Sequence, residues 1–251
     1  MGVTQDQVIS AIQEFGTVIH ALPIVTTIGR GSRIALVLPN GPELGLAILC
    51  VSQYALCVPL SATGAIAELS ADLQRCDADL VIGLLDPSHD AIRTCAMELN
   101  IPFVRLIPSA THAGLFALHN PTNTKQTKAC TSRYKDQFPN GPNDEVLVLF
   151  TSGTTGNKKL VPHLQGEIIT AAAIIALSWN VTYSDINCNM MPLFHVGGTV
   201  RQIYAPIFAG SSVICCPNFD PSTFWTTRQH VLPGTMPHRR CIWWAVTVPG
   251  Q

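Results

Sequence analysis

Leu149-Phe150-Thr151-Ser152-Gly153-Thr154-Thr155-Gly156-Asn157-Lys158-Lys159 runs the end of an apolar strand into four hydroxyls, two glycines and two lysines. Phosphate binding needs those parts. Glycines let backbone amides approach an anion with no Cβ in the way, hydroxyls donate further hydrogen bonds, and a lysine at the far end supplies charge. The spacing is not that of a Walker A loop, G-x-x-x-x-G-K-[ST]. A solvated turn is the alternative for any cluster of Ser, Thr and Gly. Position favours a ligand loop, because the cluster follows the apolar run Glu145 to Phe150, and open α/β sheets bind ligands at the carboxyl ends of their strands.

Outward from the loop, helical and strand patterns alternate. Val8, Ile9, Ile12, Phe15, Val18 and Ile19 share a helical face, and Gly29 to Ser32 supplies a turn before the buried strand Arg33 to Pro39. Asn40-Gly41-Pro42 turns the chain into a helix from Glu43 to Ala55. A short strand at Leu56 to Pro59, a helix at Ile66 to Cys76 and a strand at Leu80 to Leu84 follow, then a helix at Ala91 to Leu99 and a strand at Phe103 to Ile107. Repeated β-α units of this kind predict an α/β fold with a mostly parallel sheet. From Pro108 to Asp144 periodicity disappears and Thr, Asn, Lys and Pro accumulate, as in a long surface connection. Beyond the loop come a helix at Glu167 to Ser178, a strand at Asn189 to Pro192, a helix at Gly198 to Phe208 and a strand at Ser212 to Cys216. After Trp225 neither period is present.

The 251 residues are 47% hydrophobic and 12% charged, against about 25% charged in ordinary domains, which excludes a disordered chain. Fifteen basic and sixteen acidic residues give a net charge of −1, so nothing in the charge balance calls for nucleic acid or an anionic membrane. The nine cysteines are odd in number and include no C-x-x-C spacing, which fits neither a zinc site nor a disulfide framework. They read as reduced thiols of a cytoplasmic protein that holds no metal through them. Cys215-Cys216 is either a redox-active vicinal pair or two small apolar residues of a buried strand. Met1 to Asp6 lacks the features of a secretory leader. Leu44 to Ala67 is free of charge, but Ser52, Gln53, Pro59, Ser61 and Thr63 interrupt it, and it divides into a helix, a strand and a loop rather than a membrane span.

Phe150 to Lys159 resembles the phosphate-loop signature of the AMP-forming adenylating enzymes, the superfamily of acyl-CoA synthetases, firefly luciferases and peptide-synthetase adenylation domains. Lys158 stands where that family usually has Pro, and Leu160 where it usually has Gly; Lys159 and His163 match. Met191-Pro192-Leu193-Phe194-His195-Val196-Gly197-Gly198 is similar to the family's P-L-F-H-x-x-G segment beside the acyl and thiol pockets. Leu38-Pro39-Asn40 and Val58-Pro59-Leu60 resemble its opening, so the likeness covers about residues 5 to 225.

The resemblance implies the N-terminal part of the family's large domain: residues 1–225, with β-α units in 1–107, a connection in 108–144 and the phosphate-loop half in 145–225, followed by an unmatched tail, 226–251. It also implies a two-step reaction. A carboxylic acid attacks the α-phosphorus of Mg-ATP to give an acyl-adenylate and pyrophosphate, and the thiol of coenzyme A then takes the acyl group. Thr151, Ser152, Thr154 and Thr155 would hold β- and γ-phosphate oxygens, Gly153 and Gly156 would permit the approach, Lys159 would offset charge on pyrophosphate, and His195 would serve catalysis. The family's Tyr-Gly-x-Thr-Glu segment for adenine and magnesium, its ribose Asp, its hinge and its C-terminal catalytic Lys have no counterpart here. After Lys159 there is no lysine, and the only acids are Glu167, Asp185 and Asp220. The chain therefore reads as a truncated, inactive ligase. The alternative is a catalytically dead nucleotide-binding or interaction module that self-associates through exposed apolar surface. The tail is either a shifted frame or a diverged surface segment, and a different C-terminus could carry a peroxisomal signal.

Overall fold

The computed structural model describes residues 2–22, 28–84, 90–119, 139–151, 158–222, 225–226 and 241–242. The first half contains α1 (Gln5–Ala21), β1 (Arg33–Leu38), α2 (Pro42–Tyr54), β2 (Leu56–Ser61), α3 (Ile66–Arg75), β3 (Leu80–Gly83), α4 (Asp90–Glu98), β4 (Phe103–Pro108) and β5 (Phe116–His119). The second contains β6 (Glu145–Phe150), β7 (Leu160–Leu164), α5 (Gln165–Ser178), β8 (Ile186–Asn189), a π-helical turn (Gly197–Tyr204), α6 (Ala205–Phe208), β9 (Ser212–Cys215) and β10 (Cys241–Ile242).

β1 is apolar on both faces, and it takes the middle of a seven-stranded sheet of order β5-β4-β3-β1-β2-β6-β7. Ile34 and Leu36 face a layer made by Phe15 and Ile19 of α1 and Leu44, Ile48 and Val51 of α2. Ala35 and Val37 face Leu69 and Leu73 of α3 and Ile92 and Cys95 of α4. Strands buried on both sides read as continuous apolar runs, and here they pair in parallel from β4 through β3, β1 and β2 to β6. The uncharged run Leu44 to Ala67 is divided between α2, β2 and the turn after it. Among the described residues no helix is long and apolar enough to cross a membrane.

Both edges of the sheet are antiparallel and depart from the sequence reading. β5 pairs with β4 inside the segment read as an irregular connection. Four residues are too few to display a period, and the turn that leads to them uses Gly114 at φ 97°, a left-handed geometry that favours glycine. β7 pairs with β6 directly after the phosphate-loop motif, where a helix alone is expected from the sequence. Pro162 and His163 hide its alternation, and proline is tolerated there because β7 is an edge strand.

A second, parallel sheet has the order β10-β8-β9. β8 lies three residues before the strand expected at Asn189 to Pro192. All four of its residues are buried, and its asparagines bond to backbone: Asn187 Nδ2 donates to the Gln202 carbonyl at 2.9 Å, and Asn189 Oδ1 accepts from Met191 N–H at 2.8 Å. Asparagines at the second and fourth positions of a four-residue strand read as a turn in the sequence. The helix expected at Gly198 to Phe208 is a π-helical turn continued by α6.

Candidate active site

Thr151 and Lys159 close the base of the phosphate-loop motif. Thr151 N–H donates to the Lys159 carbonyl at 2.9 Å, and Thr151 Oγ1 accepts from Lys159 N–H at 3.0 Å. The two residues continue the β6–β7 ladder, in which Phe150 opposes Leu160. Ser152, Gly153, Thr154, Thr155 and Gly156 lie outside the described residues. Lys159 is exposed, and His163 sits half-buried in β7, its pKa lowered by burial against an opposing pull from Glu167.

Lys158, the departure from the family pattern, is tied to α3. Its Nζ lies 2.5 Å from Glu68 Oε1 and 2.6 Å from Asp72 Oδ2, and its backbone carbonyl accepts from Arg75 Nη1 at 3.3 Å. Burial works against its charge, but the hydrogen bonds it donates to Asp72 and Glu68, with the negative charges of those two acids, outweigh it and raise the pKa above the ordinary lysine value. The ammonium also lies 5.8 Å from the centre of the Phe150 ring.

The second motif folds back on itself. His195 N–H donates to the Pro192 carbonyl at 3.2 Å, Thr199 N–H donates to the His195 carbonyl at 3.0 Å, and the Thr199 hydroxyl bonds the Leu193 carbonyl. A Cβ at Gly198 would collide with the Pro192 carbonyl, which is the local reason for a glycine three residues after the histidine. Asn40, at the end of β1, fixes this segment from below. Its Nδ2 donates to the Cys216 and Met191 carbonyls at 2.8 and 3.3 Å, and its Oδ1 accepts from Leu193 N–H at 2.9 Å. The result is a half-buried His195 with its ring 4.7 Å from that of Phe194. Burial and, after it, the positive charge of Lys158 push the His195 pKa below 6.5.

Thr151, Lys158 and His195 line one cavity of about 290 Å³ at the carboxyl ends of β2 and β6. Leu60, Ser61, Glu68 and Asp72 complete much of its wall. Of the site residues read from the sequence, Thr151 and His195 thus meet, whereas Lys159 faces solvent at the loop base. Glu68 and Asp72 were missed. Their signal is a pair of acids at i and i+4, which share a helical face, together with the unexpected Lys158. Among the described residues, no three or more His, Cys, Asp or Glu side chains are gathered to hold a metal ion.

The family model for the AMP-binding enzymes matches residues 19–237. The chain belongs to the AMP-binding enzyme family. Among curated members, the Humulus lupulus protein named Probable CoA ligase CCL9 is 29% identical over 219 residues, covering 86% of this chain and 40% of its own length. The Arabidopsis thaliana malonate–CoA ligase is 29% identical over 208 residues, covering 81% of this chain and 32% of its own. The chain therefore spans 40% or less of the length of these two AMP-binding relatives. The crystal structure of ATP-bound MatB from Rhodopseudomonas palustris superposes with a TM-score of 0.66 at 20% identity, covering 88% of this chain and 41% of that one. The mixed α/β fold with its mostly parallel sheet is that of the N-terminal part of the adenylate-forming enzymes.

Proposed function

We propose that this chain carries the phosphate-gripping half of an AMP-forming acid–thiol ligase and binds the triphosphate of ATP without completing the reaction by itself. One observation supports this above others: Thr151 of the glycine-rich loop and His195 of the P-L-F-H segment, 44 residues apart in sequence, border the same cavity. In the reaction of the whole ligase, a carboxylate oxygen attacks the α-phosphorus of ATP, the bond to the β-phosphate breaks, and pyrophosphate leaves. The thiol of coenzyme A then takes the acyl group and AMP departs.

In this reading the loop serves the first step. Thr151, Ser152, Thr154 and Thr155 donate to β- and γ-phosphate oxygens, Gly153 and Gly156 allow the backbone to close on them, and Lys159 offsets charge as pyrophosphate leaves. Fixed donors at developing charge are the main resource of phosphoryl chemistry. With its pKa held down, His195 is neutral at pH 7 and offers the reacting groups one N–H donor rather than a charge. Magnesium belongs to the reading as the companion of the triphosphate. The wall does not fit the ion, because its acids, Glu68 and Asp72, are both held by Lys158. We assign the chain to the cytosol on its cysteine usage.

Calorimetric titration of the 251-residue chain with ATP and with inorganic triphosphate tests this. Both are expected to bind with similar strength, since the grip is on phosphates, and Lys159→Ala should weaken each by about tenfold through loss of a charge-assisted contact. Failure of both to bind sinks the reading. Carboxylate-dependent exchange of label between pyrophosphate and ATP is expected to be absent, because the adenine and ribose motifs are not in this sequence.

A second reading, an interaction module that self-associates, is favoured by α5. Its Ile174 and Leu177 are 58% and 79% exposed although the opposite side of the helix packs inward through Ile168, Ala172 and Ala176.

A further inference from the structure

Glu68, Asp72 and Arg75 lie at i, i+4 and i+7 on α3, the spacing that puts three side chains on one stripe of a helix. All three engage a single residue of the loop. Glu68 and Asp72 take the Lys158 ammonium, and Arg75 takes the Lys158 carbonyl while lying 3.9 Å from Asp72 Oδ1. We infer that Lys158 is a positioning residue, which α3 holds at both side chain and backbone so that the phosphate loop enters β7 at a fixed place.

Two features separate this from direct phosphate binding. Two of the three ammonium protons are directed at carboxylates at 2.5 and 2.6 Å, so a phosphate oxygen would have to displace an acid to reach them. The four charges also sum to zero. Without Lys158, two carboxylates against one guanidinium would face an incoming polyphosphate, and like charges repel. A proline at position 158 would restrict the exit through its own ring; in this chain the exit is set by an ionic anchor, with Asp72 as its buried half and Glu68 as its exposed one. The inference rests on the proposed phosphate-loop reading for what the loop grips, whereas the anchor can be measured without nucleotide.

The test is amide hydrogen exchange across residues 158–164 of the full chain, without ligand, in the wild type, Lys158→Met, Lys158→Arg, Asp72→Asn and Glu68→Gln. Local opening sets exchange, so Lys158→Met and Asp72→Asn should speed it by about tenfold, as charge-assisted bonds are lost. Lys158→Arg, which keeps the charge, should restore slow exchange. Glu68→Gln, at an exposed position that threatens the fold least, should speed exchange to a smaller degree. An NMR titration of His195 adds a readout that loss of packing alone would not produce: its pKa should rise in Lys158→Met, where a nearby positive charge is gone, and not in Asp72→Asn. Unchanged exchange in Lys158→Met overturns the inference, as does loss of ATP binding in that variant with β7 still protected, which would make Lys158 a direct ligand. Faster exchange in a protein that never binds ATP supports the anchor and counts only against the phosphate reading.

Discussion

Asn40 and Leu193 are 153 residues apart in sequence, yet the Asn40 side-chain oxygen accepts the Leu193 amide at 2.9 Å. The Asn40 side-chain nitrogen donates to two carbonyls, those of Met191 and Cys216, so one side chain just beyond β1 joins the large sheet to the segment that carries His195 and to the residue after β9. Asn40→Ala would leave partly buried backbone groups unpaired and is expected to cost about 2 kcal/mol of stability. Asn40→Asp should fare no better, because a carboxylate would face the Met191 and Cys216 carbonyls. Urea unfolding midpoints of the two variants decide this, and a midpoint unchanged in Asn40→Ala would remove the residue from its linking role.

His195 gives the fold a defined acid sensitivity. Its pKa is lower in the folded chain than the ordinary 6.5, through burial first and Lys158 second. The unfolded chain therefore takes up the proton first. Stability from this group is complete above 6.5 and falls as pH drops through that value toward the folded pKa. His195→Gln should flatten the decline of the unfolding midpoint between about pH 7 and 5. A residual slope is expected from His163, which is also lowered by burial. An identical decline in wild type and variant would show that His195 does not carry it.

Much of this architecture was readable because the physics was local and redundant. β1, β2, β3 and β6 are apolar on both faces, which fits only strands inside a covered sheet, and α2 begins at Pro42, a residue suited to the first helical turn. The elements that escaped notice have little pattern to read. β10 is two residues long, β5 four, and β7 contains a proline. The site was half readable in the same sense. Thr151 and His195 announce themselves by neighbouring glycines and hydroxyls, but Glu68 and Asp72 look like any solvated face of α3 until Lys158 is brought across to them. Asn40 looks like a turn residue, and its three long-range bonds depend on packing that no local pattern encodes.

The cysteines at the end of β9 have opposite environments. Cys215 is pushed up to about 12 by burial, while Cys216 is brought below the ordinary thiol value by the hydrogen bond it shares with Cys188, 3.7 Å away across the small sheet, which outweighs burial. The sequence offered Cys215 and Cys216 as a possible vicinal pair, but the close sulfur contact of Cys216 is with Cys188. The thiolate is the form that alkylates. Cys216 is therefore expected to react with iodoacetamide at pH 7.5 ahead of Cys50 and Cys76, both raised to about 12. Cys188→Ala should slow it. Time-resolved peptide mass spectrometry reads both effects, and equal rates at Cys216 in the wild type and Cys188→Ala would show that the neighbouring thiol does not set its acidity.

α5 carries one charged residue, Glu167, in its 14 positions, and a helix apolar on all sides is ordinarily covered on all sides. Ile169, Ile174 and Leu177 are instead 42%, 58% and 79% exposed. Contiguous apolar surface of this kind is where soluble chains associate. Sedimentation velocity over a range of concentrations should show self-association of the 251-residue chain, and Ile174→Lys with Leu177→Lys should shift it toward monomer. Both positions point outward, so the double variant should keep the wild-type unfolding midpoint. A wild-type chain that sediments as a monomer throughout would reject the interaction reading and leave nucleotide binding as the property to pursue.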